Sequence, residues 1–148
     1  MEKVTVFLGG TCADSTWREE LETKLDHDKI STFNPVVENW TPECQLIEDE
    51  HRKNDDICLY TITPEGVGFY SFVEVVDDSN KRPDRTVLCV LFEANDKKFE
   101  GHTLKCVLKT MKLVAKNGVV VVDNLDDLAN PLNQYANKKK NTINQKTI

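Results

Sequence analysis

Five short apolar runs, at 4–8, 31–33, 57–62, 86–92 and 119–122, alternate with segments that carry apolar residues at helical spacing. The longer runs are too continuous to leave one face in water. Strands of that kind belong to a parallel sheet covered by helices on both sides. Crossovers between such strands are right-handed, and ligands bind beyond the strands' carboxyl ends, where strand order reverses. The residues that matter should therefore lie in 9–18, 34–43 and 63–78.

The helical segments are read at 15–25, 42–52, 71–78, 102–116 and 125–135. Trp17, Leu21 and Leu25 make a stripe in the first, with Ser15 or Asp14 as its N-cap. Pro42 opens the second behind Thr41, and that helix carries few apolar residues, so it should be well exposed. Asn117-Gly118 ends the fourth, because glycine accepts the left-handed conformation. Residues 137–148 are polar and basic without a usable period, and are expected to fray as a flexible tail. The chain of 148 residues then reads as one domain over 1–136 and that tail.

Charge narrows the possible partners. The net charge is -6, with 18 acidic and 6 basic side chains in residues 1–80 and 7 acidic and 13 basic in 81–148. An acidic balance disfavours nucleic acid and anionic membrane, whose binding rests on a basic field. No run approaches the roughly 18 apolar residues of a membrane span. The acidic start MEKVTVFLGG does not read as a signal peptide. Five widely spaced cysteines fit a reducing cytoplasm, with Cys58 and Cys89 as buried small hydrophobes. His27, His51 and His102 have no metal-like spacing, so neither metal nor cofactor is expected.

Within the ligand-side loops, Gly9-Gly10-Thr11 suits either close approach of a ligand to backbone or a tight turn. Arg18 is placed to reach an anion or to lie solvated on the surface. Asn34 is read as contacting a base edge or turning the chain. Trp40, Phe69 and Tyr70 are aromatics that can stack on a base, though Phe69 suits a core position equally. Glu74, in Tyr-Ser-Phe-Val-Glu-Val-Val-Asp-Asp, is placed in the first turn of the helix after the third strand, where the helix dipole would keep it ionised. A carboxylate over an anomeric carbon acts as a nucleophile or stabilises oxocarbenium-like charge. Asp77 and Asp78 share its helix face and bind sugar hydroxyls, cap or solvate. Asp55 and Asp56, at the opposite end of the sheet, read as structural. Glu19, Glu20, Glu48, Asp49 and Glu50 read as exposed helix faces.

Phe7-Leu8-Gly9-Gly10-Thr11, Ser15-Thr16-Trp17-Arg18, Phe33-Asn34-Pro35-Val36-Val37, Trp40-Thr41-Pro42-Glu43-Cys44 and SFVEVVDDSNKRP at 71–83 together resemble the nucleoside 2-deoxyribosyltransferase-like family, in the branch of bacteria and their phages. The resemblance covers about residues 4–128. It implies a flavodoxin-like fold with five parallel strands in the order 2-1-3-4-5 and helices on both faces. It also implies that Glu74 attacks the anomeric carbon, that the base leaves, and that a second base or water takes the sugar from a deoxyribosyl ester. Gly9 and Gly10 then line the sugar or phosphate side, and Ser71 matches a small polar position ahead of the glutamate in related nucleotide hydrolases. Members share sites across subunits, which implies a homo-oligomer.

Two features depart from the family pattern. The aspartate, glycine and threonine lead-in to the glutamate is replaced by Gly68-Phe69-Tyr70-Ser71-Phe72-Val73, and no aspartate lies between Asp56 and Glu74. Glu65 substitutes only if its loop folds inward. The C-terminal sugar-binding segment is not recognisable, with Asn124 and Asn130 as possible replacements.

The expected function is cleavage or transfer at the N-glycosidic bond of a nucleoside or nucleotide. Glu74 would be the nucleophile. Gly9, Gly10, Thr11, Arg18, Tyr70, Ser71 and Asp78 would hold sugar or phosphate, and Asn34 and Trp40 would face the base. The alternatives are a non-catalytic binder of nucleotides or nucleotide-derived signals, phage-encoded or otherwise, and a module that has kept only the fold.

Overall fold

A computed structural model describes residues 2–66 and 68–146. In chain order the elements are β1 (Val4–Gly10), α1 (Trp17–Glu22), β2 (Ile30–Phe33), α2 (Pro42–Asn54), β3 (Ile57–Ile62), α3 (Tyr70–Lys81), a 3-10 turn (Pro83–Arg85), β4 (Thr86–Val90), β5 (Glu93–Ala94), β6 (Lys97–Lys98), α4 (Gly101–Lys116), β7 (Val120–Val122) and α5 (Leu125–Lys146). The main sheet runs β2-β1-β3-β4-β7, and every pair in it is parallel. It has the expected flavodoxin-like order, with β7 as its fifth strand.

All six residues of β3 are buried, which explains its unbroken apolar run. Val6, Leu8 and Leu59 pack with Trp17 and Leu21 of α1 and Leu128 and Leu132 of α5. Phe7, Cys58, Tyr60 and Leu88 pack with Val75 of α3 and Val107 and Val114 of α4. Cys58 and Cys89 are fully buried, as read from the strands. Leu46 and Ile47 of α2 are exposed, in keeping with that helix's sparse apolar content. No helix among the described residues is long and apolar enough to cross a membrane.

Several boundaries differ from the sequence reading. Helix α1 starts at Trp17 behind Thr16 rather than Ser15, and no side chain caps it. Helix α3 starts at Tyr70, so Glu74 is its fifth residue and falls beyond the first turn. Strand β4 ends at Val90, and a small antiparallel ribbon follows. Asn95 (φ 50°) and Asp96 (φ 61°) make its turn, because both residues tolerate positive φ. Finally, α5 runs to Lys146 although a frayed end was expected from 137. Ala136 is buried, and Lys139 Nζ lies 2.9 Å from Asp56 Oδ1. That tether is ionic, so no hydrophobic period reveals it. Residues 147–148 of the expected tail lie outside the described residues.

The end of β1 sits hard against β3. Gly10 has φ +119°, and a Cβ there would lie 2.0 Å from the Thr61 carbonyl oxygen. Strain and overlap combine, so Gly10→Ala is expected to destabilise the fold by more than about 2 kcal/mol in urea unfolding.

Candidate active site

A cavity of about 510 Å³ opens at the carboxyl ends of β1 and β3. That is the size of a small-molecule site. Its walls come from the β1 loop, the 35–40 loop, α2 and α3. Gly9 and Gly10 form part of it, and a Cβ on Gly9 would sit 2.8 Å from both Phe7 and Tyr60. Thr11 braces the β1 loop. Its hydroxyl accepts the Thr63 N–H at 2.9 Å, and its own N–H donates to Thr61 O at 2.9 Å.

Glu74 enters this cavity from α3 with its side chain 12% exposed. Arg52 Nε from α2 lies 3.3 Å from Glu74 Oε2. The same guanidinium donates to Tyr60 Oη at 2.9 Å and to Asp78 Oδ1 at 3.0 Å. The Tyr60 hydroxyl donates to Asp78, and Arg82 Nη2 approaches Asp78 Oδ1 to 2.7 Å. Burial weakens the Arg52 cation, yet the acids around it hold its proton more tightly than usual. Burial, then the charge of Asp78, pushes the Tyr60 phenol well up.

Burial pushes the Glu74 carboxyl up to about 7, Arg52 opposes the shift, and Glu48, Asp78 and Asp49 add to it. The dipole was expected to keep Glu74 ionised. Its effect fades beyond the first helical turn, and burial beside other acids outweighs it.

The sequence candidates separate into three groups. Gly9, Gly10, Thr11, Trp40, Tyr70, Ser71 and Glu74 all line the cavity. Trp40 and Tyr70 are exposed at its rim. Arg18 also lines it but is 4% exposed, so it does not lie solvated on the surface. Its guanidinium donates to the carbonyls of Leu8, Thr11 and Gly10 at 3.0, 2.9 and 3.4 Å, and so locks the end of β1. Asp78 and Asn34 are not in the wall. Asp78 is wholly buried and bound by Tyr60, Arg52 and Arg82. Asn34 Oδ1 accepts the Val36 N–H at 3.0 Å and turns the chain. Glu65 does not fold inward, being held by Thr63 Oγ1 at 3.0 Å and by Asn95. Asn124 Oδ1 accepts the Asp127 N–H at 2.8 Å at the start of α5.

Three residues escaped the sequence reading. Glu48 lines the cavity instead of lying on an exposed face. Arg52, 9% exposed, touches Glu74, and Tyr60, wholly buried, accepts from Arg52 behind it. Two signals were available: Glu48 and Arg52 stand four apart and share a helix face. A tyrosine in a wholly apolar strand also calls for a polar partner.

The raised Glu74 carboxyl links stability to pH. Below the ordinary glutamate value of 4.5 both states hold the proton; between 4.5 and about 7 only the folded state keeps it. Stability therefore falls as pH rises through this window. Glu74→Gln removes the dependence. It should unfold at higher urea than the wild type at pH 8, by about 2 kcal/mol, and show little advantage at pH 4.

Comparison with known proteins gives the family. A family model described as nucleoside 2-deoxyribosyltransferase like matches residues 3–90, which carry β1 to β4, Glu48, Arg52 and Glu74. No curated protein matches the chain. With more than half of its length matched around the cavity, the chain belongs to the nucleoside 2-deoxyribosyltransferase-like family.

Proposed function

We propose that the protein cleaves or transfers at the N-glycosidic bond of a deoxynucleoside, with Glu74 as the nucleophile. The observation that carries this reading is a carboxylate in the wall of the strand-end cavity, held 3.3 Å from a buried guanidinium. An ionised Glu74 oxygen bonds to the anomeric carbon while the carbon–nitrogen bond breaks and its electron pair leaves with the base. A second base or water then displaces Glu74 and restores the carboxylate. Trp40 at the rim supplies an aromatic face for the base.

Charge favours a nucleoside over a 5′-nucleotide. Among the described residues, the wall's one cation is Arg18, already bonded to three carbonyls. Two carboxylates, Glu48 and Glu74, stand in the same wall. A phosphate would add negative charge beside these two carboxyls, opposed in the wall by Arg18 alone.

Deoxynucleosides and their 5′-monophosphates, assayed with and without a free acceptor base, test the reading. Deoxynucleosides should be favoured by at least about tenfold in kcat/KM, since like charges at close quarters cost several kcal/mol. Glu74→Gln should lower turnover by about 10³-fold or more while remaining folded. The rate should climb as pH rises through about 7, where Glu74 ionises. Retained ligand without product would instead support a binding protein.

A further inference from the structure

Glu48 has no part in the reaction as described so far. It stands on α2 one turn before Arg52 and lines the cavity that Glu74 lines from α3. Residues four apart share a helix face, and Arg52 touches Glu74. The two carboxyls therefore address one space from opposite helices.

The other acids nearby are committed elsewhere. Glu65 is held by Thr63 and Asn95. Asp78 is sealed beneath the cavity, and Asp77 pairs with Lys81 at 2.9 Å. Asp49 is half exposed and outside the wall. Tyr70 is exposed at the rim.

We propose that Glu48 is the proton donor to the departing base. This rests on Glu74 being the nucleophile. As the Glu74 oxygen bonds to the anomeric carbon, the carbon–nitrogen bond breaks and its electrons pass into the base. The Glu48 carboxyl gives its proton to a ring nitrogen and becomes a carboxylate. In the second half, the incoming water or base surrenders a proton to Glu48 as it bonds to the same carbon, and the Glu74 oxygen leaves. Both residues return to their starting state.

The charged groups around Glu48 are Asp49 and Arg52 on its own helix, Arg18 of α1 and Glu74 of α3. Burial, then Asp49, pushes its carboxyl up, against the pull of the two arginines.

The test compares two leaving bases on the full chain. 2′-Deoxyguanosine needs a proton as its base departs. 7-Methyl-2′-deoxyguanosine already carries a cationic base and needs none. Glu48→Gln should slow the first by about 100-fold or more and the second by less than about tenfold. The ratio of the two rates is independent of the fraction folded. Glu74→Gln should abolish both. Equal losses on the two substrates in Glu48→Gln, or no loss on either, would overturn the role of Glu48 and leave Glu74 standing. A wild type that turns over neither substrate, or a Glu74→Gln that still works, overturns both assignments.

Discussion

The Arg52 guanidinium is the interaction on which the site depends. It is 9% exposed and ties three elements together, touching Tyr60 of β3 and Asp78 and Glu74 of α3 from its own place on α2. A buried charge is tolerable only when it is paired and its hydrogen-bonding groups are satisfied. Asp78 and Tyr60 satisfy that demand below the cavity, and Arg82 in turn pairs with Asp78. Glu74 alone among these partners also lines the cavity. The network therefore holds one carboxylate facing a space while its neighbours are sealed in protein.

This arrangement sets stability against ionisation. Burial and the nearby acids disfavour the ionised form of Glu74, so the folded chain loses stability as pH rises through the range where the residue loses its proton. The carboxylates of the acidic first half have unlike roles: Asp56 anchors Lys139 and the N–H of Thr5, Asp55 meets His51, and Glu48 and Glu74 share a wall. The charge imbalance in the sequence is the sum of these roles and does not itself mark a site.

Much of the fold was legible because β3 and β4 are buried throughout, and burial leaves a continuous apolar run. The strand-end rule then placed Gly9, Trp40, Tyr70, Ser71 and Glu74 at one cavity. What failed to show were polar contacts between distant segments. Arg18 on carbonyls, Arg52 beneath Glu74, and Lys139 on Asp56 all depend on partners that no local period announces. Glu48 was misread for the same reason. On a sparse, polar helix a cavity-facing glutamate looks like a solvated one until the opposite wall is known.

The most direct measurement is the identity of the covalent intermediate. The protein is mixed with a deoxynucleoside in the absence of acceptor base, quenched in acid and digested, and its peptides are weighed. The account predicts a deoxyribosyl group esterified to Glu74 and to no other side chain. Turnover with the sugar on Glu48, or with no sugar on any peptide at a time when product is forming, would contradict it.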